Sequence, residues 1–237
     1  MNNKVYIHEY IDIILQGRPQ YMHHMTKGWG AEGRKPTRNM LMVGVWGTLG
    51  STARWPEVIN LWEHDGWHGI AKSFDHETNN PLMQDPVLKV WWDEAQKYRS
   101  GGYDRILIPA PYSPTVAQIE KDKNIVGAKV FYHERISIRP GKAREYLSIM
   151  EQEWMPWANS LGLYLVGAYR TAMRNDSECI LIWAMRDWAT WAEVEIAYET
   201  DARVVAWRAR TEGIALDWLN HLMVSAPLSP TKTGVQP

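Results

Sequence analysis

Val5-Tyr-Ile-His-Glu-Tyr-Ile-Asp-Ile13 and Val130-Phe-Tyr-His-Glu-Arg-Ile-Ser-Ile138 are two copies of one pattern, 125 residues apart, and they decide the fold. Each alternates side chains of different character with β-branched residues prominent, which is the period of a strand with two unlike faces. The correspondence continues along the chain in order. Met42-Val-Gly-Val-Trp-Gly-Thr48 lies over Leu165-Val-Gly-Ala-Tyr-Arg-Thr171, Trp62 over Trp183, Trp67 over Trp188, and Trp91 over Trp207. Ala110-Pro-Tyr-Ser-Pro-Thr115 lies over Ala226-Pro-Leu-Ser-Pro-Thr231. The offset shrinks smoothly to 116, as small deletions in one copy of a duplicated unit would make it. Two copies are too few for a solenoid, so they must pack on each other. The first repeat is assigned to 1–116 and the second to 117–237, with a short disordered tail from Ser229.

Each copy has the same rhythm. A strand leads to Arg18-Pro19 or Arg139-Pro140-Gly141, breaks that open a helix. Tyr146, Ile149, Met150, Trp154 and Trp157 then recur at helical spacing, whereas Gly28-Trp-Gly-Ala-Glu-Gly33 shortens or interrupts the first helix. Two strands follow, over 40–48 and 57–63, then 163–173 and 178–185. Helical regions come next, over 66–77 and 87–99, then 188–197 and 202–212. Last strands run near 103–110 and 215–226. The order β-α-β-β-α-β is the ferredoxin-like split unit. The fold class is therefore α+β: two tandem ferredoxin-like repeats whose antiparallel sheets pack into one pseudo-symmetric barrel, of a size that holds a small ligand.

Composition removes several function classes. With 26 Lys+Arg against 27 Asp+Glu, no basic excess exists to grip nucleic acid. The longest apolar run falls short of the roughly 18 residues of a membrane span, so no membrane partner is expected. One cysteine excludes an internal disulfide framework, and no leader precedes the first strand, so a cytoplasmic location is expected. The 14 Trp against 2 Phe mean that aromatic bulk carries an N–H donor, which wants a partner or a polar-edged cavity.

The Arg139-Pro-Gly-Lys142 helix opening, the Trp-ended strands Ile59-Asn-Leu-Trp62 and Ile180-Leu-Ile-Trp183, and Asp85-Pro86 before Trp91 resemble the NIPSNAP-like members of the dimeric α+β-barrel superfamily. The resemblance spans nearly the whole chain, twice. It implies the barrel fold and a homodimer. It leaves the activity among isomerases, lyases, cofactor-free monooxygenases and haem proteins.

Candidate site residues come from strand faces and from the differences between copies. In the first strand Val5, Ile7, Ile11 and Ile13 form a helix-facing side interrupted by Glu9, while Tyr6, His8, Tyr10 and Asp12 line the barrel. Phe131, His133, Arg135 and Ser137 line it from the second copy. Histidine suits proton transfer near neutral pH, and His8, Tyr10, His64, His68 and His133 are the candidate acid–base groups. Arg135, standing where copy one has Tyr10, would stabilise an oxyanion. Tyr6, Trp46, Asn60 and Trp62 are candidate substrate contacts, with Trp29 on a flexible lid. His64 and His68 are four apart, but Asp65-Gly66 breaks the helix between them, so no metal site is read. Glu9 and Glu134 need buried partners, and stay in reserve because a one-residue irregularity would exchange them with the histidines. Asn60 and His64 are polar where copy two has Leu181 and Met185, so the cavity should have a polar wall from copy one and an apolar wall from copy two. Cys179 reads as core.

The leading expectation is a cofactor-independent lyase or isomerase using His/Tyr acid–base chemistry on a small hydrophobic, aromatic molecule. Alternatives are a cofactor-free monooxygenase, a haem-binding protein and a non-catalytic ligand-binding module.

Overall fold

The computed structural model describes residues 1–52, 54–173 and 175–237. Repeat 1 runs β1 (Val5–Ile13), α1 (Arg18–His23), α2 (Gly30–Gly33), β2 (Met40–Thr48), β3 (Glu57–His64), α3 (Gly66–Thr78), α4 (Pro86–Ala95) and β4 (Arg99–Pro109). The short α5 (Val116–Ile119) lies between the repeats. Repeat 2 runs β5 (Val130–Ile138), α6 (Ala143–Ile149), α7 (Met155–Ser160), β6 (Tyr164–Thr171), β7 (Glu178–Met185), α8 (Trp188–Thr200), α9 (Ala202–Thr211) and β8 (Ala215–Ser225), followed by α10 (Pro230–Thr233). Each repeat forms an antiparallel sheet, β4-β1-β3-β2 or β8-β5-β7-β6. The β2·β8 and β4·β6 pairings join them into one closed eight-stranded barrel, so no sheet edge is left open.

Three local devices explain the repeated motifs. A bulge falls between Met42 and Gly44, and its counterpart between Leu165 and Gly167. A side chain at Gly44 or Gly167 would overlap the ring of Trp46 or Tyr169, which folds back over its own strand. The bulge changes the phase of alternation, so Met42 faces the helices while Val43 and Trp46 face the interior. The Ala-Pro-x-Ser-Pro-Thr motifs clamp the two repeats reciprocally. Ala110 N donates to Ala168 O at 2.8 Å and Ala168 N to Ser113 Oγ at 3.0 Å. Ala226 N donates to Val45 O at 2.8 Å and Val45 N to Ser229 Oγ at 3.1 Å. Finally, the long helix of each repeat contains a π-helical turn at the same place, His24–Trp29 and Met150–Trp154.

Several expectations need correction. The segment from Ser229, expected to be disordered, is docked: Ser229 is fully buried, and the Gln236 amide accepts from Met42 N and donates to Met42 O, both at 2.9 Å. The Gly28–Gly33 stretch is helical, not an open lid. Strand β4 begins at Arg99, earlier than the expected 103, because Gly101 and Gly102 let the chain lie close against Asp12 and Ile11 of β1.

The barrel interior is packed. Tyr6, Trp46, Ile59, Leu61, Phe131, Tyr169, Ile180 and Ile182 meet there, all fully buried. The inter-repeat segment plugs one end with Val116, Ile119 and Ile125. The Glu63 carboxylate ties that plug down by accepting from Val116 N at 2.8 Å and from the Tyr6 hydroxyl at 2.7 Å. Two further cores lie outside the barrel wall, one under the helices of each repeat.

Candidate active site

The ligand-sized spaces flanking the sheets lie between sheet and helices, one in each repeat. In repeat 1 the outward faces of β1, β3 and β4 form the floor of a cavity of about 300 Å³, with Glu9, Trp62, Arg99 and Asp104 on it. The roof comes from the π-helical turn, α3 and α4, with Trp29, Phe74, Trp91 and Trp92. The aromatic walls follow from amphipathic helices whose apolar stripe must cover a sheet.

Glu9 interrupts the outward apolar face of β1, and its environment explains why it is tolerated. Its Oε2 accepts from Trp62 Nε1 at 2.9 Å and from Asn60 Nδ2 at 2.8 Å. Asn60 Nδ2 also donates to the Tyr21 hydroxyl at 3.2 Å. Among the described residues no hydrogen bond is made to Oε1, and Glu9 lines the cavity. Across the β1·β4 ladder Glu9 stands opposite Asp104, so two carboxyls share one face. Burial, and then the Asp104 charge, raise the Glu9 carboxyl above the usual carboxylate range. Asp104 is raised as well, by loss of water, against the opposing pull of Arg99 and Arg105. Arg99 lies 4.5 Å over the Trp92 ring, and its buried Nε has no partner among the described residues. Like charges so placed make the second ionisation of the pair harder than the first, the usual basis of an acid–base pair.

Trp29 is fixed in the roof. Arg38 is buried, lies 4.8 Å over the Trp29 ring, pairs with Glu32 at 3.1 Å and hydrogen-bonds Asp85. Asp85 in turn caps α4 by accepting from Val87 N. His24 stacks on the far side of Trp91 at 4.9 Å.

Repeat 2 has the matching cavity, about 690 Å³, floored by Tyr132, Glu134, Trp218 and Asn220 and roofed by Trp154, Tyr198 and Trp207. Glu134 repeats Glu9: its Oε2 accepts from Trp183 Nε1 at 2.7 Å. Burial pushes its carboxyl up to about 7.

The histidines expected to line an open barrel cavity sit instead in its packed interior. His8 Nε2 and His133 Nε2 are 2.9 Å apart and both rings are fully buried. One ring must donate and the other accept, so two neutral rings hold opposite tautomers. Burial, with Arg105 beside His8 and His8 beside His133, keeps both well below the ordinary histidine range. Tyr10 packs edge-on against His8, at 4.9 Å between ring centres, and its buried hydroxyl has no partner. His221 packs beside both, at 5.7 Å from Tyr10 and 5.5 Å from His133. At the same barrel end Arg105 Nε donates to Glu178 at 2.6 Å, and Arg135 is 3.8 Å from Glu178. Arg135 thus meets a fixed carboxylate and is not directed into either sheet–helix cavity.

The remaining expected residues divide between sites. Trp29 and Trp62 line the repeat 1 cavity, and Asn60 supports it through Glu9. Tyr6 and Trp46 belong to the barrel core. His64 is buried on the outward face of β3, with no partner on either ring nitrogen, and burial lowers it to about 4. His68 is exposed on α3. Thus the expected His64, His68 and Arg135 roles are not assembled around one ligand space. Asp104 and Arg99 were not anticipated. The comparison of copies holds the signal for them, since Asn220 and Ala215 stand at the matching places. The expected single cavity, with a polar wall from copy one and an apolar wall from copy two, is not formed: each repeat has its own cavity, and neither Asn60 nor His64 lines one. Among the described residues no group of three or more His, Cys, Asp or Glu is placed to hold a metal ion, and no histidine lines either cavity. No helix of the described residues is long and apolar enough to cross a membrane.

No protein family and no curated protein matches the sequence. Solved structures do. A candidate monooxygenase from Lactobacillus acidophilus NCFM superposes with a TM-score of 0.61 at 10% identity, covering 95% of each chain. An anthrone oxidase-like protein gives 0.60 at 8% identity, over 94% of this chain and 92% of that one. A mutant chlorite dismutase from Candidatus Nitrospira defluvii gives 0.54 at 9% identity, over 96% and 93%. The likenesses to the monooxygenase, the anthrone oxidase-like protein and the chlorite dismutase establish the α+β barrel fold. A NIPSNAP-family protein from Agrobacterium tumefaciens and a NIPSNAP-like domain protein from Burkholderia xenovorans are also among the similar structures, with TM-scores of 0.37 and 0.38 over 42% and 48% of this chain.

Proposed function

We propose that this chain is an enzyme that moves a proton on a small apolar, aromatic substrate held in the repeat 1 cavity. The observation that carries this reading is the Glu9–Asp104 carboxyl pair facing across β1·β4 beneath a tryptophan roof. Trp62 and Asn60 fix Oε2 of Glu9, which aims Oε1 at the ligand space as base. Asp104, sharing the site's proton, returns it. Arg99 supplies a cation for the enolate or phenolate formed. Stacking on Trp62 and Trp91 orients the ring. The acid–base role expected of His8 and His133 passes to the carboxyls, because the histidine rings are spent on each other inside the packed barrel.

In this form the reaction is an isomerisation or an elimination, with no cofactor. A second reading rests on the likeness to the candidate monooxygenase and the anthrone oxidase-like protein. The same deprotonation would yield a carbanion that reacts with oxygen directly. Deuterium exchange from solvent into a panel of aromatic ketones, run under nitrogen and under air, tests both. Exchange in both gases supports proton transfer alone. Product formation only under air supports the oxygenase. Absence of exchange and of product with every ketone removes the proposal.

A further inference from the structure

Repeat 2 keeps the architecture of the repeat 1 cavity and loses the two floor charges that β4 carries there. Asp104 is replaced by Asn220, Arg99 by Ala215 and Asn60 by Leu181. The space is larger, about 690 Å³ against about 300 Å³. What remains on the floor is a hydrogen-bonding group set. Glu134 is nine-tenths buried, its Oε2 held by Trp183, and its Oε1 without a hydrogen bond among the described residues. The Tyr132 hydroxyl accepts from Asn220 Nδ2 at 2.7 Å, which leaves its own proton to donate. The walls are flat and apolar: Trp154 stacks on Trp207 at 5.0 Å with 28° between planes, and Tyr198 lies parallel to Trp154 at 6.0 Å.

We propose that the repeat 2 cavity is a second, non-catalytic binding site for a neutral planar aromatic molecule carrying a carbonyl oxygen, which accepts from the Glu134 carboxyl and the Tyr132 hydroxyl. Asn220, not a carboxyl, stands opposite Glu134 across the β5·β8 ladder, so the site has no floor pair to shuttle a proton and binds where repeat 1 reacts. It does not depend on the reading of Glu9, since the two cavities lie on different sheets.

The Glu134 donor exists only while its carboxyl carries a proton. Burial holds that proton up to about pH 7. The Trp183 indole N–H, bonded to its Oε2, pulls the other way, and burial outweighs it. Tyr146 from α6 and Tyr198 from α8 are neutral phenols pushed upward by burial. Glu195 of α8 accepts from Trp191 Nε1 at 2.8 Å. On α9, Glu212 lines the cavity, and Arg208 is exposed at its rim.

The test uses 9-fluorenone, a planar ketone with no exchangeable C–H beside its carbonyl, and 9-fluorenecarboxylate as the anionic control, by titration calorimetry on the full chain. The expected result is fluorenone binding that weakens by roughly threefold to tenfold as the pH rises through about 7, the worth of one hydrogen bond. Glu134→Gln, which still donates an N–H, should bind without that pH dependence. Trp207→Ala should weaken binding by at least about tenfold, while Trp91→Ala in repeat 1 should not. Trp218→Ala, at an exposed floor position, should weaken binding too and serves if Trp207→Ala fails to fold. No fluorenone binding, loss of binding in Trp91→Ala alone, or tighter binding of the carboxylate would overturn the proposal.

Discussion

Replacing Glu134 by Gln should make the protein more stable at alkaline pH and little changed at acidic pH. The Glu134 carboxyl lies at about 7 in the fold, against an ordinary value of 4.5. A raised carboxyl holds its proton more tightly folded than unfolded. Its stability contribution is therefore complete below 4.5 and is lost as the pH rises through about 7. Each tenfold change in proton affinity is worth about 1.4 kcal/mol, so the full span from 4.5 to 7 is about 3 kcal/mol. Between about pH 5.5 and 8 the wild type should lose roughly 2 kcal/mol relative to Glu134→Gln. Other groups shape the wild-type profile: His64 and His221, both lowered to about 4, contribute in the opposite sense, as stability lost when the pH falls below the ordinary 6.5. Subtracting the variant's curve removes those shared terms. Glutamine keeps the acceptor for Trp183 Nε1, so the packing is retained. Urea unfolding followed by far-ultraviolet circular dichroism at several pH values gives both curves. A difference that is flat with pH, or that favours the wild type at pH 8, would refute the placement of Glu134 as a buried acid.

Further outcomes follow from the same geometry. Glu9→Gln should reduce proton transfer by roughly 10²–10⁴-fold, the usual contribution of a general base, read as initial rate. Activity should peak where the Glu9–Asp104 pair holds one proton, above the usual carboxylate range, and fall on either side, read as a pH–rate profile. His8→Phe alone should destabilise by about 1–3 kcal/mol, because the His133 ring loses its partner, and adding His133→Phe should cost less than the sum, read by a double-mutant cycle in urea. Gly44→Ala should cost about 1–3 kcal/mol through overlap with the Trp46 ring, read as a lowered urea midpoint.

The sequence carried the fold because duplication supplies its own control. Trp62 and Trp183 recur, and so do Glu9 and Glu134, and the structure shows why they recur together: the indole N–H of each tryptophan holds the carboxylate of its own repeat. The faces of β1 were legible from alternation, with Tyr6 and His8 inward and Ile7 and Glu9 outward. The faces of β2 were not, because the bulge between Met42 and Gly44 reverses the phase within a strand that is apolar on both sides. The location of the cavities was misread for a different reason. Alternation tells which side chains share a face but not whether the space they face is filled. Trp46, Phe131 and Tyr169 fill the barrel, whereas short π-helical turns hold Trp29 and Trp154 above the outward faces and leave room there. The carboxyl pair was missed because Asp104 and Glu9 meet only through β1·β4 pairing, across 95 residues of chain.

The most direct test compares solvent deuterium exchange into aromatic ketones by wild type, Glu9→Gln and the His8→Phe/His133→Phe double variant. The account predicts that Glu9→Gln loses exchange while the histidine double variant, if folded by circular dichroism, retains it. Exchange that survives in Glu9→Gln and vanishes in a folded histidine variant would contradict it.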